Sequence, residues 1–239
     1  MPQLADGLTC PACQSDVKLS FTIADKERTD WVFCKCGSVF HQKRVEKAYF
    51  NDEYHQKYSD YKALPERYDY ILRLYLPIIK ELTYGVRSLD VGYGCDFNIK
   101  SLTEDGWIAE GIDLIDSRDG QIVGDFEKHD FKNKKYNFIF MGSVLESFHD
   151  PIKALFKAKE LMFKGGALLI VTPDAELIYE KGMFEFGNWN PNDKSIIFSE
   201  KQLRKILETL GFKIIMARKD TQKRCIGWNH VHFLVQKVD

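Results

Sequence analysis

The sequence predicts an α/β fold: a mostly parallel sheet with helices on both faces, closed by one antiparallel strand. Three observations predict it. From residue 85 onward, short apolar runs alternate with helical patterns, as strands joined by crossover helices do. A glycine-bearing turn follows the first run, where such sheets place ligands. Only a polar, glycine-containing turn separates the last two runs, so they read as a hairpin.

The N-terminal zone, residues 1–45, holds four of the six cysteines. Cys10-Pro-Ala-Cys13 and Cys34-Lys-Cys36-Gly37 are separated by a strand-like stretch, Val17 to Ile23, and by Trp31-Val-Phe33. Two short-spaced cysteine pairs about 20 residues apart suit tetrahedral zinc. So small a module has too little core to fold alone, so bound metal would supply folding free energy. Four thiolates leave no open coordination position, so the expected role of Cys10, Cys13, Cys34 and Cys36 is structural. His41 stands in reserve. Buried unliganded cysteines or a redox pair are the alternatives. Cys95 and Cys225 read as core or near-site residues.

Residues 46–84 hold eight of the eleven tyrosines and read as helical. Leu72, Leu76, Ile79 and Leu82 share a face, with a kink expected at Pro77. Tyr54, Tyr58 and Tyr61 share another, either packed on the main domain or covering a substrate cleft.

Residues 85–239 supply the sheet. Arg87 to Val91, Trp107 to Asp113, Gly120 to Val123 and Tyr136 to Met141 read as strands. A helix follows from Pro151 to Met162, capped by Asp150. Ala167 to Thr172 is almost continuously apolar, as a strand covered on both faces should be. Ser199-Glu-Lys-Gln202 is a capping box opening a helix with Leu203, Ile206, Leu207 and Leu210 on one side. Gly211 ends it. Phe212 to Ala217 and His230 to Gln236 are the closing strands.

Composition narrows the function classes. With 44% apolar and 29% charged residues, the 239-residue chain has an ordinary globular balance. A net charge of -1 gives nucleic acid or anionic lipid no support. No apolar run approaches the roughly 20 residues needed to span a bilayer. The first residues lack the basic start and apolar stretch of a signal peptide, so a cytosolic location is expected.

The turn Leu89-Asp-Val-Gly-Tyr-Gly-Cys-Asp96 lets the backbone approach a ligand closely at Gly92 and Gly94. Asp113 ends the next strand, about 20 residues on, where a carboxylate can accept ribose hydroxyls. Asp125 follows the third strand beside Phe126, and Asp90 enters the turn. Phe97 occupies the place of the third glycine of a nicotinamide-dinucleotide fingerprint, which argues against that cofactor. Asp-Val-Gly-Tyr-Gly, Gly-Ile-Asp113, Gly-Asp125-Phe, Val144-Leu-Glu146-Ser-Phe-His-Asp-Pro151 and Lys164-Gly-Gly-Ala-Leu-Leu-Ile-Val-Thr-Pro173 follow in that order. The set resembles the class I S-adenosylmethionine-dependent methyltransferases over about residues 86 to 217. The resemblance implies a Rossmann-like seven-stranded sheet with its last strand antiparallel. It also implies that Asp113 holds the cofactor ribose, that Asp125 and Phe126 hold the adenine, and that Gly92 and Gly94 approach its amino-acid part. Asp90, Tyr93 and Ser143 complete the expected cofactor set. Asp96, Tyr93 and Ser147 depart from the usual glycine, small residue and histidine.

In-line methyl transfer needs a base only when the acceptor must lose a proton. Glu146 and His149 are the candidates, with Ser143 and Ser147 as polar liners. His230 and His232 share a strand face and read as packing first. Trp189 lies in a polar insertion of the kind that carries acceptor specificity. The amino-methyltransferase Asn-Pro-Pro-Tyr pattern is absent after the fourth strand, and no pyrimidine-type cysteine stands there. The expected acceptor is therefore a small metabolite or sugar. A catalytically silent binding protein and a nucleic-acid methyltransferase are the alternatives.

Overall fold

A computed structural model describes residues 3–20, 31–41, 45–51, 53, 65–94, 97–115, 121–181, 192–220 and 229–239. Two strands, β1 (Gln3–Thr9) and β2 (Asp16–Ser20), form an antiparallel pair. Next come β3 (Trp31–Phe33), β4 (Val39–His41), a 3-10 turn at Lys47–Tyr49 and helix α1 (Pro65–Leu82). Then follow β5 (Arg87–Val91), α2 (Phe97–Glu104), β6 (Ile108–Asp113), β7 (Ile122–Val123) and β8 (Tyr136–Gly142). The remainder is α3 (Pro151–Leu161), β9 (Met162–Pro173), α4 (Glu176–Lys181), β10 (Ile196–Ile197), α5 (Glu200–Thr209), β11 (Phe212–Asp220) and β12 (His230–Lys237).

The seven-stranded sheet runs β11-β12-β9-β8-β5-β6-β7. Pairings β9-β8-β5-β6-β7 are parallel, and β12 is antiparallel to both neighbours. The last strand in sequence is thus the reversed one, inserted between β9 and β11. This is the Rossmann-like arrangement expected from the sequence.

Alternation along the strands builds two cores. Phe138 and Phe140 of β8, with Leu169 and Val171 of β9, meet Leu72, Tyr75, Leu76 and Ile79 of α1. Ile139, Met141, Leu168 and Ile170 point the other way, onto Leu155 of α3 and Leu203 and Leu207 of α5. The apolar stripe of residues 72 to 79 therefore makes α1 a layer of this sheet. The helix continues through Pro77, which is exposed. Asp150 caps α3 by accepting from the Lys153 amide at 3.1 Å, and Ser199 caps α5 by accepting from the Gln202 amide at 3.2 Å, as the capping patterns predict. Strand β9 starts directly where α3 ends, earlier than its apolar run suggests. Among the described residues no helix is long and apolar enough to cross a membrane.

Three strands escaped the sequence reading: β1, β4 and β10. Strand β10 pairs with β4, and β4 with β3. The cysteine-bearing segment is thereby joined to the chain just before α5. Tyr54, Tyr58, Tyr61, Cys95, Asp96, Trp189 and Cys225 lie outside the described residues.

Candidate functional site

Strand β5 borders both β6 and β8, so crossovers leave it in opposite directions and a crevice opens at its carboxyl end. A pocket fills that crevice. Val91, Gly92, Asp113, Leu114, Asp125 and Phe126 line it from the ends of β5, β6 and β7. Val144, Ser147 and Phe148 close it after β8, and Lys47 and Phe50 close it from the N-terminal side.

The glycine turn is shaped for close approach. Gly92 has φ +72, and a Cβ there would lie 2.9 Å from Val144 Cγ2. The Gly94 amide donates to Asp113 Oδ2 at 3.0 Å, and the Leu114 amide donates to Oδ1 at 2.7 Å. Two backbone amides thus fix the carboxylate at the end of β6. Tyr93 is buried and packs its ring over Gly111, where a Cβ would come within 2.6 Å of the ring. Its backbone belongs to the turn, but its ring does not line the pocket. Asp90 lies behind the turn at 2% exposure, with Oδ2 lacking a hydrogen-bond partner. Burial pushes its pKa up to about 7, a hydrogen bond from Asn98 opposes this, and Asp113 adds to it.

At β7, Asp125 Oδ1 accepts from the Glu127 amide at 3.0 Å. Lys47 Nζ stands 2.5 Å from Asp125 Oδ2 and 2.8 Å from Glu127 Oε2. Phe126 is buried, with the rings of Phe131 and Phe148 each 5.7 Å away. Lys157 sits 5.5 Å from the Phe126 and Phe131 ring centres, and burial holds its pKa below the usual lysine value.

The segment after β8 separates the two candidate bases. Glu146 is 1% exposed, with Oε2 accepting from Thr172 Oγ1 at 2.9 Å and Oε1 without a partner. Burial pushes its pKa up to about 7, against the pull of Lys194. His149 is exposed, just ahead of the cap residue Asp150, and its backbone amide donates to Glu127 at 3.2 Å. Ser143 adopts φ +53 at the end of β8, and its Oγ lies 3.4 Å from Nε2 of His230. His232 is buried, its Nδ1 3.0 Å from the Tyr75 hydroxyl, and burial holds its pKa down at about 4.

A raised carboxyl pKa favours folding below the ordinary value, and that contribution is lost as pH rises through the raised one. For Glu146 the window runs from about pH 4.5 to about 7. Glu146→Gln keeps an acceptor for Thr172 and removes the ionisation. It should match wild type in urea denaturation at pH 4.5 and be more stable by up to about 3 kcal/mol at pH 8. An equal difference at both pH values would sink this assignment.

The four N-terminal cysteines converge. Their Sγ atoms all lie within 4.8 Å of one another. Cys10 Sγ is 3.9 Å from Cys36 Sγ, and Cys13 Sγ is 3.5 Å from Cys34 Sγ. A tetrahedral ion with metal–sulfur bonds of about 2.3 Å sets sulfurs about 3.8 Å apart, so the donor set fits zinc. Each pair sits on a tight turn. The Cys10 amide donates to the Ser15 carbonyl and the Cys34 amide to the Ser38 carbonyl, both at 3.0 Å. A left-handed residue follows each second cysteine, Gln14 at φ +56 and Gly37 at φ +87. The shorter second spacing therefore still gives a comparable turn. The Cys10 thiol, hydrogen-bonded to Cys36, holds the Cys36 thiol below the usual thiol range. The cluster does not include His41, whose ring packs edge-on to Trp31 at 5.4 Å.

The structure adds residues that sequence reasoning passed over. Lys47 lines the pocket and Glu127 pairs with it from behind Asp125, both in segments with no motif. Ser199 donates through Oγ to the Cys36 carbonyl at 2.9 Å while its amide donates to Ser38 Oγ at 3.1 Å. Its capping role was legible, whereas its bond to the cysteine turn was not.

Comparison with known proteins agrees with this geometry. A family described as a methyltransferase domain matches residues 48–217. An uncharacterized protein of Methanocaldococcus jannaschii is 29% identical over 139 residues, which cover 55% of this chain and 66% of that one. Among solved structures, the Burkholderia thailandensis 1,6-didemethyltoxoflavin-N1-methyltransferase, with bound 1,6-didemethyltoxoflavin and S-adenosylhomocysteine, superposes with a TM-score of 0.61 at 13% identity. That match covers 92% of this chain and 99% of the other. An S-adenosylmethionine-dependent methyltransferase from Clostridium acetobutylicum gives a TM-score of 0.56 at 11% identity, covering 76% and 99%. With a family match across most of its length and the seven-stranded sheet that the motifs imply, the chain belongs to the class I S-adenosylmethionine-dependent methyltransferases.

Proposed function

We propose that this protein transfers a methyl group from S-adenosylmethionine to a small-molecule acceptor, with sugars in range, and that Cys10, Cys13, Cys34 and Cys36 hold a structural zinc ion. The observation that carries the cofactor assignment is the Asp113 carboxylate. Two amides orient it in a pocket that also contains Asp125 and Phe126. When bound, S-adenosylmethionine supplies an electrophilic methyl group on a sulfonium. The residues supply the rest. Asp113 accepts the ribose hydroxyls. Asp125 accepts from the adenine amino group, and Phe126 gives the ring an apolar wall. Gly92 and Gly94 leave room for the amino-acid part, which Asp90 approaches from behind and Ser143 borders. Tyr93 contributes its backbone.

Placement in line is the main catalytic contribution. Where the acceptor must lose a proton, Glu146 and His149 are the candidate bases: Glu146 is buried with one unpartnered oxygen, and His149 is exposed. A balanced charge and the lack of a nucleic-acid methyltransferase pattern support a small acceptor, as does the small acceptor of the Burkholderia relative. The proposed division is residues 1–45 as zinc module, 46–84 as helical cover and 85–239 as catalytic domain. In it α1 doubles as a layer of the sheet. Calorimetric titration of metal-replete protein with S-adenosylmethionine and S-adenosylhomocysteine tests the proposal. Micromolar binding is expected, and no binding to folded protein would overturn it in favour of a silent binding protein.

A further inference from the structure

Lys47 stands where three segments meet. It belongs to residues 45–51, a strap that leaves the cysteine module and crosses to the pocket. Its ammonium bridges Asp125 at 2.5 Å and Glu127 at 2.8 Å. Glu127 in turn accepts from the amides of His149 at 3.2 Å and Asp150 at 2.7 Å. One cation thus ties the strap, the turn after β7 and the start of α3. Burial pulls the Lys47 pKa down, but the two carboxylates more than offset this and leave it above the usual lysine value. Without the ammonium, two largely buried carboxylates would repel each other. One would turn away from the other. Phe50, from the same strap, also lines the pocket.

The near end of the strap is clasped. The His41 amide donates to the Ser195 carbonyl at 2.9 Å, and the Val45 amide donates to Ser195 Oγ at 3.1 Å. Ser195 itself donates through its amide to the Glu146 carbonyl at 2.8 Å. It immediately precedes β10, which pairs with β4 of the cysteine module.

We propose that Lys47 is a positioning residue that holds the Asp125 carboxylate aimed at the exocyclic amino group of a bound adenine, and that the Ser195 clasp holds the strap carrying it. This rests on the reading of the pocket as the cofactor site. An ionised carboxylate only accepts hydrogen bonds, so it favours an amino group and repels the carbonyl oxygen of hypoxanthine.

The test is calorimetric titration of S-adenosylhomocysteine and S-inosylhomocysteine into wild type, Lys47→Met, Lys47→Arg and Ser195→Ala, with metal content and Tm measured for each. Lys47→Met should weaken S-adenosylhomocysteine about tenfold and narrow the preference for adenine over hypoxanthine. Lys47→Arg should retain both. Ser195→Ala should weaken binding with metal content unchanged. If wild type binds and Lys47→Met binds with the same affinity and preference, the inference falls alone. An equal loss in Lys47→Met and Lys47→Arg would also overturn it, and wild-type affinity in Ser195→Ala would overturn the clasp. If wild type binds neither ligand, the cofactor reading falls and takes this inference with it.

Discussion

Asp113→Ala should weaken S-adenosylhomocysteine binding by about a hundredfold or more. Each hydrogen bond from a ribose hydroxyl to an ionised carboxylate contributes about 1.5–3 kcal/mol, and two such bonds correspond to at least that factor. The substitution also frees the amides of Gly94 and Leu114, which Asp113 now accepts at 3.0 and 2.7 Å. The glycine turn would lose its anchor to β6 while the sheet core, which does not include Asp113, stays intact. Calorimetry on the variant beside wild type checks this. Asp113→Asn keeps an acceptor oxygen but not the charge, so it should fall between the two. A loss of threefold or less in Asp113→Ala would remove the residue as the ribose anchor.

Removing the proposed zinc should have the second large effect. Structural zinc in small cysteine modules contributes on the order of 10 kcal/mol of folding free energy. Strands β3 and β4 have three residues each, too little to hold the two cysteine turns together by themselves. Chelation is therefore expected to release one zinc ion per chain. It should also remove amide-exchange protection from residues 31–41 and from β10, while β8 and β9 remain protected. Cys10→Ser should reproduce the change without chelator. Full protection of residues 31–41 in metal-free protein would show that the cluster is held by packing instead.

Much of the catalytic domain was legible because its signals are local. The alternation in β8 and β9, the caps Asp150 and Ser199, and the glycine turn are each decided within a few neighbouring residues. Asp113 and Asp125 were legible because the order of motifs placed them at strand ends. What stayed hidden depends on contacts distant in sequence. Lys47 has meaning only because the strap reaches Asp125. Glu146 sits beneath Thr172 of β9, a neighbour no local pattern announces. Strand β10 is two residues long and exists because β4 pairs with it. Tyr93 looked like a pocket residue until the missing side chain at Gly111 gave its ring another place.

The pairing of β10 with β4 bears on how this protein can be handled. Ile196, Ile197 and Phe198 are completely buried, and the module's β4 covers the first two along their backbone edge. A chain shortened to start after the cysteine module would present that edge to solvent as a short, sticky apolar ribbon. Such edges recruit other chains and lead to aggregation. The N-terminal zone is therefore expected to act as a solubility cap for the rest of the chain, and expression of residues 85–239 alone should yield inclusion bodies rather than soluble protein.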